Sequence, residues 1–365
     1  MRIAQIAPLA ESVPPKLYGG TERVVSWLAE ELVALGHDVT LFASGDSVTA
    51  GRLVPVIPKA IRLSRQRPEP FPAYAAQLDA MAQIASEFDI IHCHIDWVHL
   101  PLLARMGLPH LTTLHNRLDG PLLHELVARF PGSPLISISD HHRSTLPAGS
   151  WLGTVYHGMP PETLEPAYKP GGYLAFLGRL TREKGPDTAI RLARASGMPL
   201  RMAAKIPRAA TRYYKECLEP MIDGKQVSLV GELDDRAKGD LLRGATALLF
   251  PIDWPEPFGL VMIEAMACGT PVIAFRRGSV PEVVDDGQSG FVVDDEDAAV
   301  DAIKRVGQLD RRAVRATFER RFTVRRMAED YVRHYRAVLR GGAPRRTEQH
   351  RNAARRMPPA ARASG

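Results

Sequence analysis

Short apolar runs alternate with longer amphipathic stretches along most of the chain. Runs bounded by glycine, proline or polar residues predict buried strands at residues 2–8, 39–43, 89–94, 111–114, 135–139, 154–156, 173–177, 200–205, 227–231, 247–252 and 272–275. After the first strand, a helix is indicated by apolar residues at helical spacing that end before a glycine: Val24, Val25, Leu28, Leu32 and Gly36. Strands that alternate with helices are typical of parallel, doubly wound sheets.

One polar segment rich in proline and glycine, residues 166–172, interrupts this alternation. We interpret it as a linker between a first Rossmann-like domain, residues 1–165, and a second, residues 173–322. A last helix is predicted over residues 323–340, where apolar and aromatic side chains recur at helical spacing. The predicted fold class is therefore α/β, with two Rossmann-like doubly wound domains.

The composition is that of a globular protein of two ordinary domains, with 365 residues, 45% of them hydrophobic and 24% charged. No apolar run is long enough to cross a bilayer, and residues 1–8 indicate a strand rather than a signal peptide. Cys93, Cys217 and Cys268 are odd in number and far apart, which disfavours a disulfide framework or a metal site. These features predict a cytoplasmic location.

The net charge of +6 arises mostly at the C-terminus. Residues 341–365 contain six arginines and one glutamate, so this tail carries +5 and the rest of the chain about +1. Its composition, rich in alanine, proline and arginine, predicts disorder. Contact with anionic lipid or nucleic acid is one interpretation of such a tail; a solvated extension is the simpler one, and nucleic acid is not an expected partner.

The most informative stretch is residues 247–275, where a strand, a loop, a helix and a second strand follow one another. Glu256 lies on the loop at the carboxyl end of the first strand, and Glu264 lies inside the apolar helix, where an acid needs a partner. Gly269 stands where a left-handed C-cap is expected. Free N–H groups at the start of the helix and two nearby acids suit an anion flanked by hydroxyls, as in a sugar nucleotide.

Two further loops join a strand to a helix. Arg179 and Lys184 flank the loop after strand 173–177, and their cations would stabilise a diphosphate, most of all a departing one. Gly19 and Gly20 lie in the loop after strand 2–8, where paired glycines allow either a tight turn or close approach to a ligand. The residues alone leave these two alternatives open.

The histidines fall into two groups. His92, His94 and His99 lack a partnering acid at ligand spacing, so hydrogen-bonded core histidines are favoured over a metal site. His115 instead follows the strand at 111–114, the position where open α/β sheets place their ligands. An acidic run at residues 294–297 begins a helix, and the helix dipole explains it without a metal.

The run E-P-F-G-L-V-x-x-E-A-M-A-C-G-T-P-V-I-A from Glu256 resembles the signature of the family-4 retaining glycosyltransferases of the GT-B fold. G-R-x-x-x-x-K-G from Gly178 and G-G-x-E-R from Gly19 resemble two more of that family's motifs, and the resemblance covers nearly all of residues 1–340. It implies two domains facing each other across a cleft, with helix 323–340 returning to the first domain.

The resemblance also implies roles for single residues. On the donor side, Glu264 would bind the ribose, Glu256 the sugar hydroxyls, and Arg179 and Lys184 the pyrophosphate. The loop that carries Glu256, named the donor loop, would complete this site with Phe258, Gly259 and Leu260. On the acceptor side, Gly19 and Gly20 would form an active-site loop, and His115 would lie beside the transferred sugar. The family usually has asparagine where this chain has His157, so no role is transferred to that residue.

The reaction implied is transfer of a hexose from a UDP- or GDP-linked sugar to a hydroxyl of an unknown acceptor, with retention at the anomeric carbon. The products would be glycans, polysaccharides or glycolipids. The family implies no cofactor, no bound metal and no nucleophilic side chain, because an oxygen of the leaving group is thought to act as the base. A weak peripheral contact with the inner face of the membrane is compatible with this interpretation.

Two alternatives remain at the level of the sequence. A sugar-nucleotide 2-epimerase has a similar two-domain form, but it needs acids and histidines placed for proton abstraction rather than this pair of glutamates with two cations. A binding protein recruited through the arginine-rich tail is the other alternative.

Overall fold

The computed structural model describes residues 1–16, 18–66 and 68–341, which form two parallel sheets. Apart from Gly341, the predicted disordered tail lies outside the described residues. None of the helices in these ranges is long and apolar enough to span a bilayer. The predicted α/β class with two Rossmann-like sheets is confirmed.

The first sheet has seven parallel strands in the order β3-β2-β1-β4-β5-β6-β7. Their bounds are β1 Arg2–Ile6, β2 Asp38–Ser44, β3 Arg52–Ile57, β4 Ile90–Cys93, β5 His110–Thr113, β6 Leu135–Ser137 and β7 Trp151–Thr154. The prediction missed β3, an edge strand that pairs only with β2 and is interrupted by Pro55. It also placed β7 at 154–156, whereas β7 ends at Thr154.

The second sheet has six parallel strands in the order β10-β9-β8-β11-β12-β13. Their bounds are β8 Leu174–Arg179, β9 Leu200–Lys205, β10 Val227–Gly231, β11 Ala247–Phe250, β12 Val272–Phe275 and β13 Gly290–Val293. The prediction missed β13, a four-residue edge strand that begins at a glycine. In both sheets the central strands are buried on both faces, which explains why they are mostly apolar.

Helices cover the sheets and supply their amphipathic layers. They are α1 Gly20–Ala34, α2 Pro70–Gln83, α3 Leu100–Met106, α4 Pro121–Ala128, α5 Asp140–Ser144, α6 Pro186–Ser196, α7 Thr211–Tyr213, α8 Asp235–Gly244, α9 Leu260–Ala267, α10 Val280–Val283, α11 Glu296–Arg305, α12 Arg311–Arg321 and α13 Val324–Gly341. Helix α9 is almost wholly buried, and Gly269 after it has a φ of 71°, which confirms the predicted left-handed end.

The chain crosses between the two sheets at two neighbouring points, because Met159 and Thr323 form an isolated parallel bridge. After the second crossing, α13 packs on the first sheet, where Tyr331 and Tyr335 are fully buried beside Val24 of α1. The limits drawn at 165, 172 and 322 stay a prediction.

Two buried arginines of α12 hold the segment before β8, including Ala167 of the predicted linker, against the second sheet. Arg315 donates to the carbonyls of Pro161 and Leu164, and Arg311 donates to that of Ala167. The segment before β8 is therefore attached to the second half of the molecule, and the cleft between the halves opens where the carboxyl ends of both sheets meet.

Candidate functional site

A cavity of about 840 Å³ occupies the cleft. Its walls include the segments that follow β1, β4 and β5 in the first sheet and β8, β10 and β11 in the second. All ten predicted site residues line it: Gly19, Gly20, His115, Arg179, Lys184, Glu256, Phe258, Gly259, Leu260 and Glu264. Residues remote in the chain thus meet in one place, while the ligand assigned to each stays a prediction.

Glu256 is buried at the cavity wall, and one oxygen of its carboxylate accepts two hydrogen bonds. Lys184 Nζ lies 2.5 Å from Oε2, and the indole Nε1 of Trp254 donates to the same atom at 2.8 Å. The Lys184 ammonium also lies over the Trp254 ring, 4.9 Å from its centroid. Across residues 1–16, 18–66 and 68–341, Oε1 has no hydrogen-bond partner and is left to accept from a ligand hydroxyl.

The loop that carries Glu256 is supported by the turn between β12 and α10. Ser279 donates its backbone N–H to the carbonyl of Glu256 and its hydroxyl to that of Phe258, both at 2.9 Å. Gly259 ends the loop with a φ of 79°, a conformation that glycine tolerates, and α9 begins at the next residue. The first N–H groups of α9 are thereby placed at the cavity wall, where they can bind an anion.

Glu264, buried on α9, has a lysine partner. Lys238 Nζ of α8 lies 2.6 Å from Oε1 of Glu264 and 3.0 Å from Oδ1 of Asp235. Burial opposes the charge of Lys238, but the two carboxylates outweigh it, and the pKa of Lys238 is raised above its ordinary value. The lysine therefore stays charged, and the expectation that an acid in this apolar helix needs a partner is confirmed.

Arg179 stands at the end of β8 and is one-third exposed in the cavity. Its nearest carboxylate is that of Glu183, 3.8 Å from Nη2, which makes a loose surface pair. Within the described part of the chain, its buried Nε–H has no acceptor. The guanidinium can therefore receive an anion in the cavity.

The glycine loop of the first half lies directly opposite the donor loop. Gly20 begins α1, and a Cβ there would lie 3.5 Å from Cδ1 of Leu260. Nearby, Arg23 of α1 reaches across the cleft to Asp235 at 2.6 Å. The first turn of α1 therefore contacts the second half at two elements, at Leu260 of α9 and at Asp235 of α8.

The histidines form a hydrogen-bonded cluster behind the cavity. His92 lies 2.7 Å from the Tyr335 hydroxyl and 2.8 Å from Thr113 Oγ1, and His94 lies 2.9 Å from His115. This confirms hydrogen-bonded core histidines at these positions, and no group of metal-ligating side chains is found in the residues that the structure describes. Burial lowers the pKa of His115 to about 3, with a smaller effect from His142, so its imidazole is neutral.

Two family models match this chain. One, described as Glycosyl transferases group 1, matches residues 165–319, and the other, described as Glycosyltransferase Family 4, matches residues 18–139. Each model covers one of the two halves that form the cleft. The chain belongs to the family-4 glycosyltransferases of the GT-B fold.

The glycosyltransferase aligns along most of its length with curated relatives. It is 26% identical to the phosphatidyl-myo-inositol mannosyltransferase of Mycobacterium leprae, over 94% of this chain and 98% of that protein. It is 26% identical to the D-inositol 3-phosphate glycosyltransferase of an Arthrobacter species, over 77% of this chain and 79% of the relative.

Solved structures share the fold. AviGT4, a glycosyltransferase involved in avilamycin A biosynthesis, superposes with a TM-score of 0.74 at 25% identity, over 94% of this chain and 99% of that one. Anabaena HepE, solved in complex with UDP and glucose, has a TM-score of 0.72 at 18% identity, over 92% and 100% of the two chains.

Three contributors to the glycosyltransferase site were missed in the sequence. Lys238 lies in an amphipathic helix without a motif that marks it, although the acid buried at position 264 already required a cation from a neighbouring element. Trp254, two residues before Glu256, and Arg23, three residues after the paired glycines, stood next to recognised motifs. Their contacts depend on side-chain direction and on the meeting of the two halves, which spacing does not reveal.

Proposed function

We propose that this glycosyltransferase moves a hexose from a nucleoside diphosphate sugar to an acceptor hydroxyl with retention of configuration. The observation that carries the proposal is the convergence, in one cavity, of Glu256 with Lys184 and of Glu264 with Lys238, next to Arg179. Two fixed acids and several fixed cations suit a ligand that combines hydroxyl groups with a diphosphate.

The pyrophosphate would lie between Arg179, Lys184 and the first N–H groups of α9. A lysine ammonium has three N–H donors, so Lys184 can keep its bond to Glu256 and still contact a phosphate oxygen. These charges gain most when the glycosidic bond breaks and the diphosphate departs with additional negative charge, so they favour the transition state over the bound donor.

The two glutamates would read the hydroxyl groups of the donor. Glu264, held by Lys238, would accept from the ribose, and Glu256 would accept from the sugar through its unoccupied Oε1. His115 would lie beside the sugar at the end of β5, and the loop of Gly19 and Gly20 would border the acceptor.

In the reaction, the bond from the anomeric carbon to the β-phosphate oxygen breaks and a bond to the acceptor oxygen forms on the same face. The acceptor proton passes to an oxygen of the departing diphosphate, so the step needs no side-chain nucleophile or base. Exclusion of water by the closed cleft would protect the transferred sugar from hydrolysis.

Names of relatives suggest which ligands to try first. A mannosyltransferase acting on phosphatidyl-myo-inositol and an inositol phosphate glycosyltransferase make GDP-mannose, UDP-sugars and inositol-containing or lipid acceptors the first choices. HepE, solved with UDP and glucose, supports a UDP-linked donor equally well. A cytoplasmic enzyme that meets lipid acceptors at the inner face of the membrane fits these choices.

The test is a thermal-shift panel of UDP, GDP, ADP and their hexose conjugates, since a ligand that binds only the folded state raises Tm. One nucleoside diphosphate and its sugars should raise Tm, and Glu264→Gln should reduce the shift at the same ligand concentration. The proposal fails if no nucleotide raises Tm, or if all raise it equally in the wild type and in Glu264→Gln.

Product analysis separates transfer from epimerisation. With the stabilising donor and no acceptor, a transferase slowly releases free sugar, whereas a 2-epimerase returns an epimerised nucleotide sugar. Family membership favours transfer, and an epimerised product would replace the proposal.

A further inference from the structure

A chain of hydrogen bonds runs from the centre of the first sheet to the cavity wall. Gln5 of β1 lies with its side-chain oxygen 2.8 Å from His94 Nε2. His94 Nδ1 lies 2.9 Å from Nε2 of His115, the residue that lines the cavity. Gln5, His94 and His115 together form the relay.

The donor atom of each hydrogen bond in the relay follows from the contact between Gln5 and Tyr335. Gln5 donates through Nε2 to the Tyr335 hydroxyl at 3.1 Å, so its Oε1 faces His94 and can only accept. His94 must therefore carry its proton on Nε2, and its Nδ1 is an acceptor. His115 must then donate from Nε2, which leaves the lone pair of its Nδ1 bare.

Both rings are neutral, because burial disfavours a charge on either imidazole. Burial and the neighbouring histidines lower the pKa of His94 well below its ordinary value, and burial lowers that of His115 to about 3. A neutral imidazole has one donor and one acceptor, so the orientation of the Gln5 amide, with Nε2 toward Tyr335, assigns one tautomer to each ring.

The plane of the His115 ring is held from the other side. His157 stacks on it with an interplanar angle of 16° and ring centroids 5.3 Å apart, and Phe258 of the donor loop packs edge-on against His157 at 4.8 Å. In the part of the chain that the structure describes, Nδ1 of His115 has no hydrogen-bond partner. The ring is thus fixed in plane and in tautomer, with one acceptor unused.

We propose that Gln5 and His94 are positioning residues that hold His115 as the Nε2–H tautomer and thereby fix the orientation of its ring beside the bound sugar. The identity of that ligand rests on the proposed function, whereas the tautomer does not. In this form the His115 Nε2–H is donated to His94, so His115 has no proton left to donate to the sugar and does not act as a general acid.

The test uses the full-length protein without ligand, labelled with ¹⁵N in its twelve histidines. Long-range ¹H–¹⁵N correlation spectra distinguish the two neutral tautomers and the imidazolium, and His115→Gln identifies the His115 signals by their loss. The wild type should show His115 protonated at Nε2 alone. A signal protonated at Nδ1 or at both nitrogens would overturn the proposal.

Variants test whether the relay sets this tautomer. Gln5→Met removes the acceptor for Nε2–H of His94, and His94→Leu removes the acceptor for Nε2–H of His115 itself. Both variants should therefore populate the Nδ1–H tautomer of His115. His94→Asn, whose Oδ1 can replace Nδ1 of His94, should retain the wild-type pattern. Unchanged His115 signals in Gln5→Met and His94→Leu would contradict the proposal.

Gln77→Met is the matched control. Gln77 is also fully buried in the first half and bonds backbone carbonyls of Ala7 and Phe42 at 2.9 and 3.0 Å, but it lies outside the relay. This variant should lower stability as much as Gln5→Met does and leave the His115 tautomer unchanged. A shifted tautomer in the control would show that general loosening, not the relay, is responsible.

A kinetic arm links the tautomer to the sugar. With GDP-mannose and UDP-glucose as probes, Gln5→Met should lower kcat/KM by up to about tenfold, the value of one neutral hydrogen bond, and leave the Kd of the free nucleoside diphosphate unchanged. An equal loss of diphosphate affinity would contradict a role at the sugar. If the tautomer behaves as expected while neither donor is used, the proposed function fails and the relay stands.

Discussion

Single side chains in this site act in pairs whose members have separable effects. Glu264 is bound by Lys238, and Glu256 is bound by Lys184 and Trp254, so each acid is held before any ligand arrives. Fixed acceptors lose little freedom on binding, which is how a preorganised site gains affinity and rate. The two acids lie on different elements and are proposed to bind different parts of the donor. Replacing one acid should therefore affect the contacts of one part only.

Glu264→Gln should weaken nucleoside diphosphate binding by about tenfold to a hundredfold, because a charged acceptor for the ribose is lost. Glu256→Gln should leave that affinity nearly unchanged and lower kcat, since it would contact the sugar only. Calorimetric titration with the diphosphate and steady-state kinetics with its sugar conjugate measure the two quantities. Equal, negligible effects of both changes would contradict the assigned roles.

Trp254→Phe should slow transfer by about tenfold while diphosphate affinity is retained. The ring under the Lys184 ammonium remains, but the indole N–H that holds Glu256 Oε2 is lost, a neutral-to-charged hydrogen bond worth about 1.5–3 kcal/mol when made. Trp97→Phe is the control, since Trp97 also lines the cavity. A fall of the same size in both variants would assign the effect to general packing.

At the scale of elements, short turns determine where the site's loops lie. The turn between β12 and α10 carries the donor loop through Ser279 and brings Gly278 against the peptide of Glu256. A Cβ on Gly278 would lie 2.3 Å from the Glu256 carbonyl oxygen, which no rotamer change relieves because the neighbour is backbone.

Gly278→Ala should therefore displace Glu256 and lower kcat/KM by more than tenfold, beyond the cost of about 1–2 kcal/mol for a left-handed alanine. Gly287→Ala is the matched control: its φ of 74° carries the same backbone cost, but a Cβ there would meet no described atom within 4 Å. Chemical unfolding should show a larger stability loss in Gly278→Ala than in Gly287→Ala, and kinetics should show lost activity only in Gly278→Ala. Full activity in Gly278→Ala would refute the support role of this turn.

At the scale of the whole molecule, ionic and backbone contacts join the two halves around the cavity. Arg23 of α1 bonds Asp235 of α8, which also bonds Lys238, the partner of Glu264. On the opposite side, Glu282 of α10 accepts the N–H groups of Asp140 and His141 from the first half. The proposed nucleotide end of the site is therefore coupled to the position of the first half.

Arg23→Ala should loosen this contact, raising the radius of gyration measured by solution scattering and weakening diphosphate binding by several-fold, about the 1 kcal/mol expected of a partly buried ion pair. Arg52→Ala removes an exposed ion pair with Glu87 inside the first half and serves as the control. An unchanged radius of gyration together with unchanged affinity would remove Arg23 from this role.

The buried histidines make stability depend on pH. Burial lowers the pKa values of His92, His94 and His157 well below 6.5, and those of His99 and His115 to about 3. Below about pH 6.5 the unfolded chain binds protons that the folded chain does not, so stability should fall as pH decreases, by about 1.4 kcal/mol per pH unit for each such histidine.

His99→Gln tests this count, because His99 is not among the residues that line the cavity and its imidazole bonds only Thr112 among the described residues. Urea unfolding between about pH 7.5 and about pH 5.5 should show a shallower loss of stability in His99→Gln than in the wild type, by one proton. Parallel pH profiles would mean that His99 titrates normally in the folded protein.

How much the sequence alone determined can be judged from particular residues. The period of apolar residues predicted the parallel strands. Three residues of the site, Glu256, Arg179 and Gly259, lay in segments that follow predicted strands, where such sheets bind ligands. Local patterns decide these features, because strand burial and helix starts depend on neighbours in the chain. The edge strand β3 was missed since Pro55 interrupts its apolar run, and β13 was missed since its run after Gly290 is only three residues long.

Only the tertiary structure decided which side chains meet. Lys238 on Glu264, Lys184 on Glu256 and His94 behind His115 are contacts between separate elements of the chain. Whether such groups touch depends on sheet order and on the distance between the two halves, and neither leaves a periodic trace in the sequence. The residue types of the site can therefore be read from the chain, whereas their partners, tautomers and free acceptors arise from folding.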